Sequence, residues 1–233
     1  MADPIVAKEV QRKLFHSLMI CVALVNAVGL ALFGVPHGVL LSVGFTGITL
    51  VFFLGIEITR IRVYGYFPFK RILARVMRPR ERTRLGASVY FAVGTMITFV
   101  SLYLLSNIFL SFFGITAIWM LSGWLAVGAV MVAAIGDGMA AIIGIRFGKH
   151  RIRGNRTLEG ALAGFIFGFL AFLPLWLLLN IPLIYGLIAA IVLFIVDLSA
   201  PPLDDNLLNP IAIGLALAFF ETIFVVFLVG GVG

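Results

Sequence analysis

The chain has 233 residues, of which 62% are hydrophobic and 12% charged, and its formal net charge is +7. A mean hydropathy of +1.17 leaves too little polar side chain to clothe a water-soluble core, so a soluble globular domain is excluded. Nucleic-acid binding is excluded with it, because no soluble surface remains for basic and aromatic side chains to line; on a membrane protein the excess charge means topology and attraction to anionic headgroups.

Apolar runs of about 20 residues are the signature of spanning helices. Such runs, with soft edges, occupy 14–33, 38–58, 86–106, 116–135, 158–179, 182–200 and 208–230. They predict an all-α, polytopic, multi-pass membrane protein of seven transmembrane helices, one domain over residues 1–233. The first run follows Arg12-Lys13 but is too long for a signal peptide, and no small-residue cleavage site follows it. The one cysteine, Cys21, lies inside that run, so disulfides play no part.

In chain order, Arg12, Lys13 and His16 come first and point to one side of a helix at the membrane surface. They suit either a headgroup anchor or an anionic ligand. Glu57 and Arg60 follow at i,i+3 spacing, which allows an ion pair. Within the 59–85 loop, Lys70, Arg71, Ala74, Arg75 and Arg78 share one face of a helix, and Phe69, Ile72, Leu73, Val76 and Met77 share the other. That pattern predicts a helix lying in the interface and ended by Pro79, either a surface anchor or a lid.

The segment 136–160 is the chemical anomaly. Gly136, Ala140, Gly144 and Gly148 form a small-residue stripe, and Gly160, Gly164 and Gly168 form a second on the next helix. Stripes of this kind let helix backbones approach closely. They do not explain Asp137 within the first stripe, or the run Gly148-Lys-His-Arg-Ile-Arg-Gly-Asn-Arg156 that leads to a helix start near Thr157. Cations, free backbone N–H groups and a helix N-terminus suit phosphate oxygens, although a plain cytoplasmic basic loop would look similar. It is not a P-loop, since no GxxxxGK[ST] occurs.

All 17 lysines and arginines fall before the first run, between the second and third, or between the fourth and fifth. The loops 34–37, 107–115 and 180–181 hold none. The positive-inside rule then puts the N-terminus and the basic loops in the cytoplasm, of a prokaryotic cell rather than on the endoplasmic reticulum. Six acids, Glu57, Asp137, Glu159, Asp197, Asp204 and Asp205, cluster at helix ends on that same side. Carboxylates beside hydrocarbon are costly unless paired or metal-bound, which makes them functional suspects. The acidic loop 201–210 sets Asp204, Asp205 and Asn206 between prolines. These are hard oxygen ligands fit for Mg²⁺ on nucleotide phosphates, or an Asx turn capping the last helix. Glu221 lies deep, about 16 Å past Pro210 at 1.5 Å per residue. It has no cation to meet and is protonated or bonded to another helix; no role is assigned to it.

These residues carry a resemblance. Arg12-Lys-Leu-Phe-His16 resembles the Arg-Lys-x-x-His opening of the dolichol kinase, phytol kinase and CTP-dependent diacylglycerol kinase family. Arg84-Leu-Gly-Ala87 is similar to its Arg-x-Gly-Ala helix entry. Gly136-Asp137, Gly144, Gly148-Lys149 and Thr157-Leu-Glu159-Gly160 resemble its CTP-site segment, and Asp205-Asn206 with Pro210 its Asp-Asn-x-x-x-Pro element. Arg156 stands where the family usually has Lys, and Asp197 where Glu is common.

The resemblance implies phosphoryl transfer from CTP, with Mg²⁺ or another divalent cation, to a membrane lipid alcohol at the cytoplasmic face of the bilayer. Polyprenol or dolichol, phytol or geranylgeraniol, and diacylglycerol all qualify. It implies Asp137 and Asp205, with Asp204 and Asp197, as metal ligands. Lys149, Arg151, Arg153 and Arg156 would neutralise phosphate charge, and Gly144, Gly148, Gly160, Arg12, Lys13 and Asn206 would complete the nucleotide site. Glu159 would orient a cation or the ribose. His16 or Glu57 would accept the alcohol's proton, which makes Asp137, His16, Glu57 and Lys149 the catalytic candidates. A CTP:phosphatidate-type cytidylyltransferase is the nearest alternative, but its Pro-Gly-His-Gly-Gly…Asp-Arg signature is missing from 205–233, which holds no His or Arg. A lipid or ion transporter would want charge at mid-membrane, where only Glu221 lies.

Overall fold

The computed structural model describes residues 20–34, 37–63, 84–112, 119–154 and 156–230. Arg12, Lys13, His16 and the amphipathic 69–78 segment lie outside the described residues. The chain folds into α1 (Ile20–Phe33), α2 (His37–Arg62), α3 (Ala87–Ser101), α4 (Asn107–Phe112), α5 (Trp119–Phe147), α6 (Leu158–Leu179), α7 (Leu183–Ser199) and α8 (Asp205–Gly230). A π-helical turn, Leu102–Ser106, joins α3 to α4 without a break. Between α5 and α6 sits a small antiparallel hairpin, β1 (Arg151–Arg153) and β2 (Arg156–Thr157), which helical periodicity gave no reason to expect.

The result is an all-α, multi-pass membrane architecture. Five helices are long and apolar enough to cross a bilayer: His37–Arg62, Ala87–Phe112, Leu121–Phe147, Leu158–Leu179 and Asp205–Phe227. The expected seven therefore stand at five by length among the described residues, with Ile20–Phe33 and Leu183–Ser199 shorter apolar helices. The outer surface is hydrocarbon: Phe112, Leu178 and Phe227 are each about four-fifths exposed, as suits side chains that face lipid.

Helix ends follow local chemistry. Thr157 caps α6, its Oγ1 accepting from Gly160 N at 3.2 Å. Asn180 ends α6 in the left-handed conformation. Ala200 does the same for α7, and Pro201-Pro202 prevents continuation. Asp204 caps α8, its Oδ1 accepting from Asn206 N at 3.0 Å, so that helix starts at residue 205 rather than 208. Pro210 falls inside α8, where its ring fits the notch left by Gly94 on α3. The fourth apolar run does not stop at 135. It continues as α5 to Phe147: Met139, Ala140 and Ala141 favour helix, and Gly136 and Gly144 are held there by close packing against α6.

Candidate functional site

The two glycine stripes pack as expected. A Cβ at Gly160 would lie 2.7 Å from Ala140 O and 3.1 Å from Gly144 Cα. A Cβ at Gly136 would overlap Leu193 Cδ2 and come within 2.9 Å of Gly164 O. These contacts draw α5, α6 and α7 together at one end of the bundle. Asp137 sits half-buried on α5 at that seam. Beside it Gly138 faces open space, with nothing within 4 Å of a Cβ there.

The chain leaving α5 is held by Glu159, from the first turn of α6. Its carboxylate accepts from Lys149 N at 3.1 Å and His150 N at 3.2 Å, and it lies 2.6 Å from His150 Nδ1. The expected ligand-orienting residue thus has a protein partner: it fixes the start of the basic hairpin. Gly154, at φ +58, forms the hairpin turn, and Lys149, Arg151 and Arg153 are exposed along it.

Arg156 turns the other way. Its Nη1 donates to Asp197 Oδ1 at 2.7 Å and to the Asp197 carbonyl at 3.2 Å, while Nη2 bonds Asp205 Oδ1. One guanidinium therefore joins the hairpin, the C-terminus of α7 and the N-terminus of α8. A Cβ at Gly164 would lie 3.4 Å from Asp197 Oδ2 and 3.3 Å from Gly136 O, which puts this carboxylate beside the α5 backbone next to Asp137. Arg156, Asp197 and Asp205 are brought together; Asp204 is not. It serves as the cap, with Asn206 Nδ2 also donating to it at 2.8 Å.

Among the described residues, no three His, Cys, Asp or Glu side chains are placed to hold a metal ion together. The four-carboxylate ligand set does not converge. Two carboxylates, Asp197 and Asp205, do meet on a single cationic group, and their donor chemistry fits Mg²⁺, which takes one or two carboxylates and completes its shell with phosphate oxygens and water.

Glu57 is engaged elsewhere. Arg60 donates to it through Nε at 3.1 Å and Nη2 at 2.6 Å, and Gly86 N donates to Oε2 at 2.7 Å. Arg60, fully buried, also donates to the Arg84 carbonyl at 2.7 Å. The expected i,i+3 pair exists, and it clamps the Arg84-Leu-Gly-Ala87 entry to α3. Its carboxylate accepts three hydrogen bonds from Arg60 and Gly86, which ties the end of α2 to the start of α3.

Among the buried polar residues, Asn209 escaped the sequence reading and Glu221 was left without a role. Asn209, 1% exposed, has neither side-chain amide atom hydrogen-bonded among the described residues. Its only signal was an amide one turn past Asp205. Glu221 is fully buried, and Ser122 Oγ donates to its Oε1 at 2.8 Å, so it is bonded to another helix as expected.

The chain is 32% identical over 148 residues to an uncharacterized protein of Methanocaldococcus jannaschii. That match takes in 62% of this chain and spans 64% of the relative's length. No family profile and no solved structure matches the chain.

Proposed function

We propose that this membrane protein is a CTP-dependent kinase that phosphorylates a lipid alcohol at the cytoplasmic face. One observation carries the reading: two carboxylates and a basic hairpin, contributed by four helix ends, meet at a single end of an otherwise apolar bundle. Nothing in a passive membrane anchor requires that assembly, whereas a triphosphate and a bilayer-borne hydroxyl do. With all Lys and Arg on one side, seven spans and a cytoplasmic N-terminus complete the proposed topology.

In the proposed reaction the alcohol oxygen bonds to the γ-phosphorus of CTP, the bond from that phosphorus to the β–γ bridging oxygen breaks, and CDP leaves. The hydroxyl proton passes to a nearby carboxylate or to water. Lys149, Arg151 and Arg153 supply the positive charge that such a transfer needs on its equatorial oxygens. Arg156 holds Asp197 and Asp205 in place until a nucleotide competes for it. A divalent cation, when bound, would neutralise the triphosphate, with Asp205, Asp197 and Asp137 the residues offered to it. His16 and Glu57 are the candidate proton acceptors, and Glu57 is held by Arg60 and Gly86 N.

The test uses purified protein in detergent with Mg²⁺. CTP should raise the unfolding temperature more than ATP at equal concentration, and Asp137→Asn should abolish transfer to lipid while the protein stays folded. Equal stabilisation by both nucleotides, or normal turnover in Asp137→Asn, contradicts the reading.

A further inference from the structure

Asn209 stands out once every buried polar group is asked what it faces. It lies four residues after Asp205 on α8, so the two share a helix face and differ in depth by about 6 Å. Side chains on a helix lean toward its N-terminus, which directs this amide toward the Asp205 end. The residue is 1% exposed, yet both Nδ2 and Oδ1 lack a hydrogen-bond partner among the described residues. A buried amide with donor and acceptor both unmade is costly and calls for a guest. Thr95 Oγ1, 1% exposed, is likewise without a partner among the described residues. It follows Gly94, whose Cβ position meets Pro210 Cγ at 2.6 Å and Leu207 O at 2.8 Å. Two orphaned polar side chains thus flank the α3–α8 seam just beneath the charged cluster.

The chemistry of an amide narrows the guest. A phosphate or other anion could use Nδ2 but would be repelled by Oδ1. A metal ion could use Oδ1 but not Nδ2. A hydroxyl group donates once and accepts readily, and so satisfies both atoms at once. The position narrows it again. Above Asn209 are Asp205, Asp197 and Arg156; below it α8 is apolar, from Ile211 through Leu217. A molecule with a hydroxyl head and a hydrocarbon tail has the same two halves in the same order.

We propose that Asn209 binds the acceptor hydroxyl of the lipid alcohol and holds it beneath the phosphate site. This rests on the kinase reading and adds to it a specific hydroxyl-binding residue. The amide takes no part in proton transfer; it orients the oxygen that attacks.

The experiment uses the full chain in mixed micelles with CTP, Mg²⁺ and a panel of geranylgeraniol, a C55 polyprenol and dioleoylglycerol. Wild type and Asn209→Leu are compared for the KM of whichever alcohol wild type phosphorylates, for the KM of CTP, and for unfolding temperature with and without that alcohol. Leu matches the shape of Asn but leaves nothing unsatisfied. The expected result is a KM for the alcohol raised by about tenfold or more and an unchanged KM for CTP. The unfolding temperature should equal or exceed that of wild type and lose its alcohol-dependent rise. An unchanged KM for the alcohol means Asn209 holds only water and overturns the proposal. A lower unfolding temperature, or loss of folded protein, means the amide has an internal structural partner and overturns it equally. If wild type phosphorylates no alcohol on the panel, the kinase reading falls first; if it does and the variant is unaltered, only the role of Asn209 falls.

Discussion

Removing the buried Arg60 should cost more stability than removing any exposed charge among the described residues. Arg60 is fully buried and Glu57 is 9% exposed; their oxygens and nitrogens meet at 2.6 and 3.1 Å. Among the described residues, Arg60→Met leaves the Glu57 carboxylate with only Gly86 N to bond it. It also strips the Arg84 carbonyl of its donor. Breaking one side of a buried pair costs about 3–5 kcal/mol. For a chain of this size that lowers the unfolding temperature by about 6–20 °C. The double variant Glu57→Leu/Arg60→Met removes both charges together, and buried pairs replaced by apolar side chains are often near neutral. It should therefore recover most of the loss. The assay is thermal unfolding in detergent of wild type, both singles and the double, read as a double-mutant cycle. If Arg60→Met unfolds with wild type, or if the double is no better than the single, the clamp is not holding α2 to α3. The same series bears on mechanism: a double variant that folds and still transfers phosphate shows that Glu57 is not the base.

Gly136→Ala should destabilise by about 1–3 kcal/mol through overpacking, because its Cβ would overlap Leu193 Cδ2. Gly138→Ala, two residues on and facing open space, should be neutral or gain up to about 1 kcal/mol; thermal unfolding of the pair decides it. Ala200→Gly should stabilise by about 0.5–1 kcal/mol, since Ala200 ends α7 at φ 43 where glycine carries no Cβ penalty. A lower unfolding temperature for that variant would contradict the left-handed cap. Glu159→Ala frees Lys149 N and His150 N. It should raise the KM for CTP by about tenfold and leave the unfolding temperature nearly unchanged, since the contact is exposed; the kinetic and thermal readings are taken on one preparation.

The membrane class was legible from hydropathy alone, and the glycine contacts were legible from four-residue spacing, because both are periodic. The start of α6 near Thr157 was legible too, and the structure makes Thr157 its cap. What spacing could not give is which carboxylate meets which cation. Asp197, Asp204 and Asp205 all lie at helix ends on one side, and spacing does not rank them. Arg156 chooses Asp197 and Asp205 because the hairpin bends it across to α7 and α8, and Asp204 is drawn into its own helix cap. Helix length was misjudged as well: the fourth run continues past 135 to Phe147, so Asp137 is a mid-helix residue at a packed seam rather than near a helix end. Asn209 gave no sequence signal beyond its spacing from Asp205, since an orphaned amide is visible only once the surrounding helices are in place.

The central claim is that the terminal phosphate of CTP moves to a lipid alcohol. Purified protein, a lipid extract and Mg²⁺ are given CTP labelled at either the α or the γ phosphate, and the lipid fraction is counted. Label entering lipid from the γ position alone is the predicted result. Label from the α position alone would make the protein a cytidylyltransferase, and no label from either, with CTP intact, would contradict the account outright.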